Sequence, residues 1–132
     1  MRRSISTTYY ALFHSILERV TDRLVGKALR GTPDYRDIYR SFGHNEVKTV
    51  CKALTRQDSN AGDDLRSIAQ AFVQGLEERE TADYDPIAEI TYERAQLQFV
   101  LVNSVIPKLM LLHEADVMKI AVGCLGRRVR GR

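Results

Sequence analysis

RRSISTTYYALFHS, Arg2 to Ser15, is the stretch whose spacing decides the fold. Ile5, Tyr9, Leu12, Phe13, Ile16, Leu17, Val20 and Leu24 recur at steps of one, three and four. That places them on one stripe of an α-helix reaching about Leu24, and such a stripe needs a partner surface to cover it. A second row, Arg3, Thr7, Tyr10, His14 and Glu18, follows the opposite side at the same spacing. The first row is the core face. The second, with Tyr10 and His14 one turn apart, is a candidate site or subunit contact, and Arg3, Tyr10 and His14 are its candidate substrate-binding residues.

Working outward, the first helix is expected to end near Gly26, with Lys27 to Asp34 as a polar turn. Pro33 and Asp34 suit a helix start, where a missing N–H costs nothing and a carboxylate favours the exposed amides. Tyr35, Ile38, Tyr39 and Phe42 form the next apolar stripe. It resumes out of phase at Val47, Val50, Cys51 and Leu54, which predicts a kink or a short break at Gly43 and His44. Thr55 to Asp64 is a loop by composition. A third helix turns Leu65, Ile68, Ala69, Phe72, Val73 and Leu76 inward and is expected to end near Arg79 or Glu80. Thr81 to Ile90, holding Pro86 and clustered acids, is expected as an ordered turn whose Asp83, Tyr84 and Asp85 hold arginines across the bundle.

Thr91 is the predicted N-cap of a fourth helix. Ala95, Phe99, Val102 and Ile106 lie on one side of it, Leu97, Leu101, Val105 and Leu112 on others, and Pro107 is expected to kink or divide it. A helix apolar nearly all round is usually buried on more than one side, which here predicts contact with both the core and a dimer partner. Glu114 to Leu125 reads as a fifth, short helix. No period-two run, hairpin turn or internal repeat is evident. The fold class is therefore all-α, an antiparallel bundle of four to five helices, with 1–126 as a single domain and 127–132 as a basic tail.

A chain of 132 residues with 44% hydrophobic and 28% charged residues fits one soluble globular domain. Arg127, Arg128, Arg130 and Arg132 carry more than the whole net charge of +3, so the body stands at −1. Such a tail tracks phosphates or serves as a frayed solubilising end. Cys51 and Cys124 read as two buried thiols of a reducing cytoplasm and not as a disulfide. The most apolar run, Phe99 to Leu112, is broken by Asn103, Ser104, Pro107 and Lys108 and is too short and polar to span a bilayer. A cytoplasmic protein without a membrane partner is expected. Phosphate-binding glycine loops, nucleophile elbows, zinc-protease motifs and a recognition helix are missing from the sequence, and no cofactor or metal is implied.

The opening helix resembles the first core helix of HEPN domains, small all-α modules that often carry Tyr-Tyr-Ala-x-Phe-His there. The matching residues are Tyr9, Tyr10, Ala11, Phe13 and His14. YRSFGH, Tyr39 to His44, resembles the second helix of a bacterial branch of that family, and ADYDP, Ala82 to Pro86, the loop before its last helix. The resemblance implies a homodimer and either of two activities. One is a metal-independent endoribonuclease of a defence or toxin–antitoxin type system, with its motif copies meeting at the dimer interface. The other is a non-catalytic module that binds RNA or a nucleotide, or partners a nucleotidyltransferase; where that partner modifies a tyrosine, Tyr39 or Tyr84 is the acceptor. A third possibility is a helical dimerisation scaffold without a ligand.

Arg40 and His44 are the candidate catalytic pair. Their Arg-x3-His spacing is one residue shorter than the nuclease pattern of the family. A neutral imidazole suits removal of a proton from an RNA 2′-hydroxyl, and a guanidinium suits the charge that develops on phosphorus. His113 stands alone and is expected at the surface or an interface.

Overall fold

In the computed structural model the predicted opening helix forms and runs Arg2–Val25 (α1). Residues 2–85, 87 and 89–130 are described, with side chains described as far as 126. α1 is followed by a 3-10 turn, Lys27–Leu29, and by α2 Pro33–Ser41, α3 His44–Leu54, α4 Asp63–Tyr84, α5 Tyr92–Met110 and α6 Glu114–Arg130. The molecule is all-α, a helical bundle with α1 at its centre. α1 packs on α2, α4, α5 and α6, and α3 closes the bundle against α4 and α6.

The core follows from the α1 stripe. Ile5, Tyr9, Leu12, Phe13, Ile16, Leu17 and Val20 are buried, and only Leu24, at the helix end, is left exposed. They meet Val47, Val50 and Cys51 of α3, Leu65, Ile68, Phe72 and Leu76 of α4, Val102, Val105 and Leu109 of α5, and Val117, Ile120 and Ala121 of α6. Cys51 and Cys124 are both buried; burial above all, and then the neighbouring Cys124, push the Cys51 thiol well above its usual range. A smaller cluster, Ile5, Ala82 and Ala95, joins α1, α4 and α5 at the other end.

Three polar devices set the connections. Gly26 adopts φ 102°, a conformation that favours glycine, and its N–H donates to Asp22 O at 2.9 Å, ending α1. Asp22 is a buried carboxylate that accepts from Arg30 Nε at 3.0 Å and Tyr35 Oη at 2.8 Å, tying the 3-10 turn and α2 back to α1. Burial alone would raise its pKa, but the Arg30 and Tyr35 hydrogen bonds outweigh burial and hold it low. Burial, and then the bond to Asp22, push Tyr35 up to about 12. At the far corner Arg19 of α1 donates to the carbonyls of Leu109 and Leu112 and pairs with Glu114 at 3.1 Å, pinning the α5–α6 junction.

Several expectations are corrected. Among the described residues six α-helices replace four to five, because the break at Gly43 separates α2 from α3 completely and α6 stands as a full helix. Its backbone continues past Leu125 to Arg130, while the arginine side chains of the tail and residues 131–132 lie outside the described residues. α4 passes Arg79 and Glu80 to reach Tyr84, because Ala82 is buried on its inner face and Arg79 pairs with Asp83 one turn on at 3.2 Å. Pro107 does not divide α5, since it falls in the last turn and little helix remains beyond it to deflect. Phe99 is 55% exposed and Leu97 66% exposed, so α5 is covered on one side only within this chain. Ile38 is likewise exposed. His113 caps α6, its Nδ1 accepting from Ala115 N–H at 3.1 Å. Among the described residues no single helix is long and apolar enough to cross a membrane.

Candidate functional site

The polar aromatic side of α1 meets the α2–α3 connection and the end of α4. Tyr9 lies on the core stripe, yet its hydroxyl reaches outward past Phe13 and Phe72 to the first residue of α3. It sits 2.6 Å from His44 Nδ1 and 3.4 Å from Nε2. Five residues on, His14 Nδ1 lies 2.7 Å from the hydroxyl of Tyr39 on α2. The two contacts are crossed. α1 presents a tyrosine and then a histidine, the α2–α3 segment does the same, and each tyrosine pairs with the other segment's histidine.

The rings around these bonds form a continuous array. The Phe13 ring centre lies 5.6 Å from that of His44 and 5.5 Å from that of His14. His14 is stacked on Tyr39 at 6.1 Å with their planes 7° apart, and Tyr10 also stacks on His14 at 6.1 Å. Arg79 of α4 closes the array, its guanidinium 5.5 Å from the Tyr9 ring centre and 5.0 Å from that of Tyr10. Asp83 fixes Arg79 in turn and also accepts from Ser6 Oγ at 2.8 Å.

His44 is held below the usual histidine range, first by burial and then by the cations Arg79 and Lys48; Glu80 opposes them weakly. Lys48 and Glu80 are 3.7 Å apart. Burial raises the Tyr9 hydroxyl well above its normal pKa against the pull of Arg79, so it stays protonated and serves as a hydrogen-bond partner. The site is thus a neutral imidazole, anchored on one edge, in a cationic and aromatic setting.

Of the sequence-derived residues, Tyr10, His14 and His44 come together here. Arg40 is exposed in the last turn of α2, on a different helix from His44, and no hydrogen bond joins the two. Arg3 is exposed on the lip of a groove between α1 and α5, beside Ser4, Thr7, Thr8 and Phe99, apart from the ring array. Of the acids expected to hold arginines across the bundle, Asp83 holds Arg79 of its own helix. Arg2 of α1 reaches across to the backbone carbonyls of Ala82 and Asp85. Arg79 and the polar roles of Tyr9 and Tyr39 escape a reading by stripes, which places both tyrosines in the core. The available signal was the shared Tyr-x4-His spacing of 9–14 and 39–44.

No protein-family model, curated protein or solved structure matches the chain.

Proposed function

We propose that this chain is a HEPN-like helical module that acts on RNA as a metal-independent endoribonuclease, working as a homodimer with His44 as its proton-transfer group. The observation that carries the reading is the state of His44. Its imidazole is disfavoured as a cation by burial and by the charge of Arg79, and is anchored by Tyr9, over whose ring the Arg79 guanidinium lies. A neutral imidazole takes the proton of a ribose 2′-hydroxyl as that oxygen attacks phosphorus, and neighbouring cations favour the phosphate being attacked. Arg40, exposed and unattached to His44 in its own chain, is assigned to the same phosphate from the second copy.

The test is cleavage of single-stranded RNA by purified protein in EDTA, with the matching DNA as control, since DNA lacks the nucleophile. Cleavage of RNA alone, lost in His44→Ala and in Arg40→Ala, is the expected outcome. Intact RNA after long incubation, with wild type and His44→Ala alike, removes the nuclease reading.

The separation of Arg40 from His44 also favours a second reading, a module that holds RNA or a nucleotide without cutting it, or that docks with a nucleotidyltransferase. Calorimetric binding of nucleotides by a cleavage-inactive protein, or co-purification with such a transferase, distinguishes it.

A further inference from the structure

The crossed tyrosine–histidine contacts contain a second imidazole for which the reading above has no use. We infer that His14 is the general acid of the same site, protonating the leaving 5′-oxygen while His44 accepts the 2′-hydroxyl proton. This inference rests on the ribonuclease reading and completes it.

The argument begins with placement. Both imidazoles lie near one ring, Phe13, with centres 5.5 and 5.6 Å away, and both are fixed from one edge by a tyrosine hydroxyl, Tyr39 for His14 and Tyr9 for His44. A histidine that only filled space on an exposed helix face would not need an anchor of its own. The two environments are unequal, as separate acid and base roles require. His44 is half-buried, with Tyr9 of α1, Lys48 of α3, and Arg79 and Glu80 of α4 facing it. His14 is exposed, between Tyr10 of its own helix and Tyr39 of α2, with the Glu18 carboxylate near Tyr39. The inner group is held neutral, fit to accept a proton. The outer one is exposed, placed to meet a leaving oxygen at the surface.

In the step itself the 2′-oxygen forms a bond to phosphorus as its proton passes to His44. The bond from phosphorus to the 5′-oxygen breaks, and that oxygen takes the proton of the His14 imidazolium. The products are a 2′,3′-cyclic phosphate and a 5′-hydroxyl. Proton exchange with water resets both histidines, and no oxidant, metal or further reactant is consumed.

The test compares RNA with a nucleoside 3′-phosphate aryl ester, whose phenolate leaves without needing a proton. Wild type is expected to show a bell-shaped pH profile on RNA. His14→Gln, which retains a hydrogen-bonding partner for Tyr39, is expected to cut RNA about 100-fold or more slowly and to lose the alkaline limb, yet to cleave the aryl ester within a few-fold of wild type. His44→Gln is expected to fail on both substrates. Tyr39→Phe, which keeps the imidazole and removes only its anchor, is expected to retain both limbs. If His14→Gln matches wild type on RNA while His44→Gln is dead, His14 has no acid role and the ribonuclease reading stands. Equal loss on both substrates in His14→Gln also overturns the acid role. If wild type cleaves neither substrate, both readings fall.

Discussion

His44 and Asp22 are the two titrating groups whose surroundings bear most directly on stability, and both favour the fold as pH rises, over different ranges. The folded pKa of His44 lies below its ordinary value near 6.5, because burial, Arg79 and Lys48 disfavour the cation. The unfolded chain therefore takes up this proton first. The contribution is fully present above pH 6.5 and is lost as pH falls from there through the folded pKa. Urea unfolding at several pH values is expected to show that slope in wild type and a flatter one in His44→Gln. Asp22 works lower. Its folded pKa is held below the ordinary carboxylate value: burial alone would raise it, but the Arg30 and Tyr35 hydrogen bonds prevail. Its contribution is present above about pH 4 and is lost as pH falls through the folded pKa. Asp22→Asn keeps the shape and removes the charge that Arg30 seeks. A loss of about 2 kcal/mol at neutral pH is expected in equilibrium unfolding, together with a reduced acid dependence. At this scale the sequence was only half legible. The paired spacing of Tyr10 and His14 showed on a helical wheel. The reach of Tyr9 out of the core did not, because a stripe records which side a residue faces and not where its hydroxyl ends.

Helix-interior glycines separate what a sequence shows about elements from what only packing decides. Gly75 in α4 and Gly123 in α6 look alike on paper, each a weak residue in a helical run. A Cβ on Gly75 would lie 3.7 Å from Tyr9 Cδ2, an ordinary contact, whereas one on Gly123 would lie 2.9 and 3.1 Å from the two methyl groups of Val50. Val50 is buried and β-branched, so it has no easy rotamer in which to yield. Gly75→Ala is expected to stabilise the protein by up to about 1 kcal/mol, the propensity gain alone. Gly123→Ala is expected to destabilise it by about 1 kcal/mol, overpacking exceeding the same gain. Adding Val50→Ala should relieve that clash, so a thermal-melt double-mutant cycle should return a favourable coupling between positions 50 and 123. The helices themselves were legible because the period of their apolar residues is a backbone property. The break at Gly43 showed as a phase slip. The end of α4 did not, since Ala82 and the Arg79–Asp83 pair continue the helix into a segment whose composition suggests a turn.

Across the whole molecule, the proposed dimer would draw on the open face of α5 and on Arg40, exposed at the end of α2. Tyr92, Leu97, Phe99 and Val100 are each more than half exposed along one helix. Together they offer roughly 400 Å² of largely apolar surface, comparable to the largest patch a monomer normally carries. The adjoining groove, with Ser4, Thr7, Thr8 and Ala11 of α1, lets a partner approach closely and enlarges the area toward the ~800 Å² per partner of a stable interface. The same α1 carries Tyr10 and His14, so a copy seated in the groove lies about one helix diameter, ~10 Å, from the ring array. Sedimentation at micromolar concentration is expected to show a dimer for wild type and a folded monomer for Phe99→Lys, whose charge no described residue lining the groove would pair and Arg3 at its lip would repel. The proposed function then makes a stricter demand. If Arg40 acts on the phosphate held by the other copy's His44, then Arg40→Ala and His44→Ala are each inactive alone but complement one another when refolded together. An equal mixture should recover about a quarter of wild-type cleavage, because half of the dimers are mixed and each mixed dimer holds one intact site of its two. Recovery near zero would mean that both residues must come from one chain. The break between α2 and α3 would then have to close during catalysis, a movement that an Arg40–His44 distance measured with and without bound RNA would register.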